Sequence, residues 1–129
     1  MPELGDSSPP ITVRSEGAAV SLGTIGWQQI ILGGSQPDRS PLLLGITHIV
    51  AGERSELIKH ATSEVCFVLS GNGHMVGDKA VYRFTAGDAL LIEPESWHAI
   101  QADPAGDVEM LFCFPQRHIP LTHGWEALS

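Results

Sequence analysis

An all-β, single-domain barrel or sandwich is the fold class this sequence predicts, on three observations: short apolar stretches at even spacing, turn residues between them, and no long helical period. The stretches fall at 18–22, 26–32, 42–50, 65–70, 73–76, 80–84, 88–92, 97–101 and 107–114, and Gly, Pro, Asn and Asp separate them. At 129 residues the chain is long enough to bury one core and too short for two.

Taken in chain order, Pro2, Pro9 and Pro10 keep the start of the chain out of any helix, so residues 1–15 are expected to form a flexible N-terminal arm. Residues 16–115 are assigned to the barrel. Residues 116–129 are assigned to a tail that packs on the barrel or on a partner subunit. Ser70-Gly71-Asn72-Gly73 and Gly77-Asp78-Lys79 supply the positive φ angles of tight hairpins, and Asp103-Pro104-Ala105-Gly106-Asp107 suits a longer connection. The strands are therefore expected to run as a meander.

The segment from Glu53 to Leu69 is ambiguous by period, because Leu57, Ala61, Val65 and Val68 fall at helical spacing. Strand is favoured, since Thr62, Val65, Phe67 and Val68 are β-formers and turn chemistry follows at once. Val65 to Leu69 and Ala89 to Ile92 are apolar at consecutive positions. Both faces of those strands are thus expected to be covered, by a second sheet or a second subunit, which points to a homodimer. The tail Phe114 to Trp125 is too proline-broken for a strand in the sheet, but Ile119, Leu121 and Trp125 suit a lid over a barrel opening.

Fifteen acidic residues against seven basic ones give a net charge of −8, which repels phosphate backbones and anionic lipid surfaces and excludes nucleic acid and membrane as expected partners. The first residues carry no basic segment followed by an apolar run, and no stretch approaches a bilayer span, so a cytoplasmic location is expected. Cys66 and Cys113 sit in apolar runs and are expected to be free thiols. No phosphate loop, dinucleotide fingerprint, nucleophile elbow or Cys-x-x-Cys pair occurs, so no nucleotide cofactor is expected.

The residues with chemical content are Gly52, Ile58, His60, Glu64 and Gly71, followed by Gly87, Pro94 and His98. The first set resembles the first motif of the cupin superfamily, Gly-x5-His-x-His-x3,4-Glu-x6-Gly, with Ile58 in place of the first histidine. The second resembles the cupin motif Gly-x5-Pro-x-Gly-x2-His. Pro94 lies one place late, and Glu95 or Ser96 stands at the second glycine, so the turn before His98 is expected to differ in shape. The resemblance covers roughly residues 40–114 and implies a double-stranded β-helix, or jelly-roll, barrel. It implies metal ligation by His60, Glu64 and His98, with Glu64 and His98 as the catalytic pair. Two imidazoles and a carboxylate suit Fe, Mn, Ni or Zn as divalent ions, and their composition is that of the facial triad of non-haem iron enzymes.

Other candidates are weaker. His48 and His74 lie on predicted strands and either is a substitute for the ligand missing at Ile58, whereas His118 and His123 lie in the tail. Glu93 and Glu95 read as solvated loop carboxylates, and Trp27 and Trp97 as packing residues. Tyr82, Arg54 and Arg83 have no fixed direction, and Cys66 is the expected cavity-lining thiol. Three functions follow: a metal-dependent enzyme on a small organic molecule, with oxygenase chemistry favoured; a redox-neutral isomerase, cyclase, decarboxylase or lyase; and a non-catalytic small-molecule-binding module.

Overall fold

The computed structural model describes residues 19–34 and 40–124; the whole arm at 1–15, residues 16–18 of the stretch assigned to the barrel, and Trp125 lie outside the described residues. Eleven strands follow in order: β1 Val20–Ser21, β2 Gly26–Leu32, β3 Leu43–Ile49, β4 Ile58–His60, β5 Glu64–Ser70, β6 Asn72–Val76, β7 Val81–Thr85, β8 Ala89–Ile92, β9 Ala99–Ala102, β10 Val108–Phe114 and β11 Thr122–Gly124. Among the described residues the only helical element is a 3₁₀ turn, Gly23–Ile25. None is long and apolar enough to cross a membrane.

Each of the nine apolar stretches contains a strand, and the ambiguous segment from Glu53 to Leu69 resolves as β4, a turn and β5. The topology is not the expected meander. One antiparallel sheet runs β1-β2-β3-β10-β5-β8 and a smaller one runs β7-β6-β9, so only β1–β2, β2–β3 and β6–β7 join neighbours in sequence. β4 pairs with β11 as a separate two-stranded sheet, and an isolated bridge from its Ile58 to His98, just before β9, ties it to the small sheet. The two sheets close over one another as a jelly roll.

Gly77-Asp78-Lys79 closes the β6–β7 hairpin, with the Gly77 N–H donating to the Ala80 carbonyl at 2.8 Å. Gly71 does something else. The chain leaves the large sheet there and enters the small one, at φ 89°, and an added Cβ would lie 2.2 Å from the Asp107 carbonyl oxygen. It is a corner between sheets rather than a hairpin turn, and only glycine meets both conditions. The short β11 also departs from expectation: Thr122 to Gly124, beyond the last proline of the tail, are free to pair with His60 to Ile58.

The core lies between the sheets because period-two alternation turns one face of each strand inward. Leu43, Thr47 and Ile49 of β3, Cys66 and Val68 of β5, and Val108, Met110, Phe112 and Phe114 of β10 are buried, and Met75, Phe84 and Ala102 meet them from the small sheet. Gly45 completes the inward face of β3; a Cβ there would stand 2.1 Å from the Phe112 ring. The opposite face of β5 and β8 is open, with Phe67 43% and Leu91 67% exposed.

Candidate metal centre

β4 and β5 are joined by a three-residue turn, so the inward positions His60 and Glu64 face one another across it. His98 enters from the strand alongside, through paired backbone hydrogen bonds with Ile58: Ile58 N–H to the His98 carbonyl at 3.0 Å and His98 N–H to the Ile58 carbonyl at 2.8 Å. Three strands thereby bring together residues 38 positions apart in sequence. His60, Glu64 and His98 are 6%, 8% and 6% exposed, and their ligand atoms all lie within 4.8 Å of one another.

The hydrogen bonds fix which nitrogen faces the centre. The His98 Nδ1–H donates to the Ser96 carbonyl at 2.9 Å. The Thr122 hydroxyl donates to the Pro120 carbonyl at 2.9 Å, so its oxygen accepts from the His60 Nδ1–H at 2.6 Å. Both rings therefore present Nε2 to Glu64 Oε1, at 3.1 Å for His98 and 3.5 Å for His60. A neutral imidazole carries one proton, and both are committed to Nδ1. Glu64 Oε1 is accordingly buried with no hydrogen-bond donor.

Three acceptors converging in a buried space require a positive charge between them. A proton is one source. Burial opposes a charge on His98, but once Nε2 carries a proton its hydrogen bond to Glu64 and the backbone contact at Ser96 outweigh this and raise its pKa. Burial likewise opposes ionisation of Glu64, and the hydrogen bonds and charges that protonated His60 and His98 would supply overcome it and hold the carboxyl below its ordinary range. A divalent cation is the other source, and two imidazole nitrogens with one carboxylate are a donor set that fits it.

Ile58 lies on the same strand face as His60 and lines the same cavity. Neither candidate substitute replaces it. His48 points outward, stacked on Trp27 and held between Asp107 at 2.8 Å and Glu109 at 3.1 Å, and His74 points outward near Asp103 at 3.7 Å. His118 lies against Arg117 and His123 is exposed. Arg83 is tied to Asp103 at 2.9 Å, Arg54 and Tyr82 are exposed, and Trp97 stacks under the Lys59 ammonium. Cys66 does line the cavity, where burial and the Glu64 carboxylate push its thiol far above its usual range. It is a neutral wall residue. Cys113 faces the other side of the sheet, and both cysteines are free.

The turn before His98 holds a backbone conformation that a non-glycine residue disfavours. Glu95 occupies the glycine position and takes φ 62°, the one non-glycine residue with positive φ among the described residues. Its N–H donates to the His60 carbonyl at 2.7 Å and its carboxylate meets Lys59 at 3.2 Å, so the turn is tied to β4. Thr122 is the functional contact that sequence reasoning missed. The sole available signal was a hydroxyl two residues beyond Pro120 in a segment without strand periodicity.

Fold and centre together define a small jelly-roll barrel with an interior group able to hold a divalent metal. The cupin-domain family Cupin_2 matches residues 45–114, more than half of the chain, and the chain belongs to the cupins. A cupin-2 domain from Rhodospirillum rubrum superposes with a TM-score of 0.70 at 19% identity, covering 82% of this chain and 72% of that one. A cupin 2 conserved barrel domain protein from Rhodopseudomonas palustris gives 0.67 at 16%, covering 88% and 73%. Oxalate decarboxylase of Bacillus subtilis gives 0.77 at 16% over 88% of this chain, which spans 31% of that chain's length. At such identities the likeness is one of fold. No curated protein matches the chain in sequence.

Proposed function

We propose that this cupin is a metal-dependent enzyme acting on a small organic molecule, with His60, Glu64 and His98 as ligands and oxygenase-type chemistry. The observation that supports the reading is the buried Glu64 Oε1, without a donor and faced by two Nε2 lone pairs. His60, Glu64 and His98 would hold a divalent transition metal there, and it would supply Lewis-acid chemistry. The chain's own part is to hold both imidazoles in the Nδ1–H form through Thr122 and Ser96, to balance charge with Glu64, and to exclude water with an apolar wall that includes Ile58. In this reading Glu64 and His98 are the catalytic pair, supported by their burial together at the centre.

A carboxylate in an apolar cavity also serves proton transfer, so a redox-neutral isomerase, cyclase, decarboxylase or lyase is the second reading. We also propose a homodimer in which a second copy covers the open apolar face of β5 and β8, and a chain that uses neither nucleic acid nor membrane as a partner, in keeping with its net charge of −8.

The test is metal content by plasma mass spectrometry on untagged protein purified without chelator. Near-stoichiometric iron, manganese, nickel or zinc in the parent and its loss in His98→Ala are expected, with oxygen uptake then separating oxygenase from redox-neutral chemistry. A parent that stays metal-free after reloading while Ile58→His gains metal would identify a non-catalytic binding module instead.

A further inference from the structure

The cavity that contains the His60, Glu64 and His98 group has a volume of about 460 Å³, and apolar side chains predominate in its walls. Ile25, Ile58, Ile92, Ile100, Phe114 and Ile119 line it, the last half exposed at the rim. Gln28 and Thr47, paired across β2 and β3, add neutral polar groups. Ser55 and Thr122 also reach it, but the Ser55 hydroxyl accepts the Ile100 N–H and Thr122 serves His60. Apart from the histidines, the ionisable oxygen groups of the described lining are Glu56 and Glu64, and no lysine or arginine is among them.

This lining sets the charge a ligand can bring. A divalent ion beside the Glu64 carboxylate leaves at most one net positive charge at the centre, enough for a single anionic oxygen, and Glu56 in the lining adds only further negative charge. A dicarboxylate would bring a second negative charge into an apolar wall beside Glu64, where burial without a paired cation is costly. The isoleucine-rich wall instead rewards an apolar body. Ile58, which removes one nitrogen donor, extends that wall up to the centre itself.

We propose that the cavity takes a molecule with one oxygen head directed at the His60, Glu64 and His98 centre and an otherwise apolar body, the class of alkyl or aryl ketones, enols and phenols, and discriminates against dicarboxylates. The placement of the head rests on the metal reading above; the apolar body rests on the wall alone.

The two are tested separately with cobalt(II)-loaded protein, acetophenone and succinate. Acetophenone is expected to perturb the visible cobalt bands saturably, with a Kd at least tenfold below that of succinate. Ile100→Asp and Ile119→Asp are each expected to weaken acetophenone at least tenfold with the circular dichroism spectrum unchanged. Ile119→Asp, at a half-exposed position, keeps the test decisive if Ile100→Asp does not fold. Succinate binding as tightly as acetophenone, or Ile119→Asp binding it like the parent, would overturn the proposal. If no cobalt bands develop, the metal reading has failed, and saturation-transfer NMR of acetophenone on the metal-free chain decides the rest: transfer lost in Ile119→Asp upholds the apolar-body class, and no transfer to the parent's ligand overturns it.

Discussion

Glu95 and Thr122 each control a contact at His60, one through the backbone and one through the ring. The left-handed conformation of Glu95 costs a non-glycine residue roughly 1–2 kcal/mol, and an exposed ion pair with Lys59 returns only a fraction of that. Glu95→Gly is therefore expected to stabilise the protein by about 1 kcal/mol in denaturant titration. A destabilised variant would show that the Lys59 contact dominates. Thr122→Val keeps the shape of the side chain but removes the acceptor for His60 Nδ1–H, freeing the ring to turn or change tautomer. Metal affinity is expected to fall by about 10–100-fold, measured by competition with a chromogenic chelator, while the unfolding midpoint moves little.

The same local economy works along whole strands. β3 and β10 alternate strictly between buried and partly exposed positions, and their register sets Phe112 opposite Gly45. The ring occupies the space a β3 side chain would fill, so Gly45→Ala is expected to cost about 1–3 kcal/mol by overpacking. Equal stability of Gly45→Ala and parent in urea would mean that Phe112 swings aside freely. β5 shows the other consequence of alternation. Its inward residues are Glu64, Cys66 and Val68, and its outward ones are Val65, Phe67 and Leu69, all apolar and all exposed in a single copy.

At the scale of the whole molecule, that outer face continues across Leu91 of β8 and Leu111 of β10. The proposed homodimer buries it, so Phe67→Asp is expected to convert a dimer to a monomer in sedimentation velocity; a parent that sediments as a monomer overturns the assembly. Stability should also follow pH through the centre when the chain is stripped of metal. Glu64, held below its ordinary 4.5, contributes stability present above that value and lost as pH falls through its lower folded pKa. His98, raised above its ordinary 6.5, contributes stability present below that value and lost as pH rises through its higher folded pKa. The pair thus favours the window from 4.5 to 6.5, and thermal unfolding in chelator should show a midpoint that peaks there in the parent and flattens in Glu64→Gln.

From sequence alone came the strand content, the nine apolar stretches and the three polar residues that could meet, because side-chain alternation and motif spacing are local properties of the chain. The order of the strands was not legible: Gly71 announces a sharp turn, but whether the chain folds back beside β5 or crosses to another sheet depends on β8 and β10 competing for the edges of β5. The directions of His48 and His74 were open for the same reason, since a strand's two faces are equivalent until a partner sheet covers one. Thr122 found its role only when β11 paired with β4. His60, Glu64 and His98 are written in the chain, but their convergence on one orphaned oxygen is a product of three strands meeting, and that long-range packing is what only the tertiary structure decides.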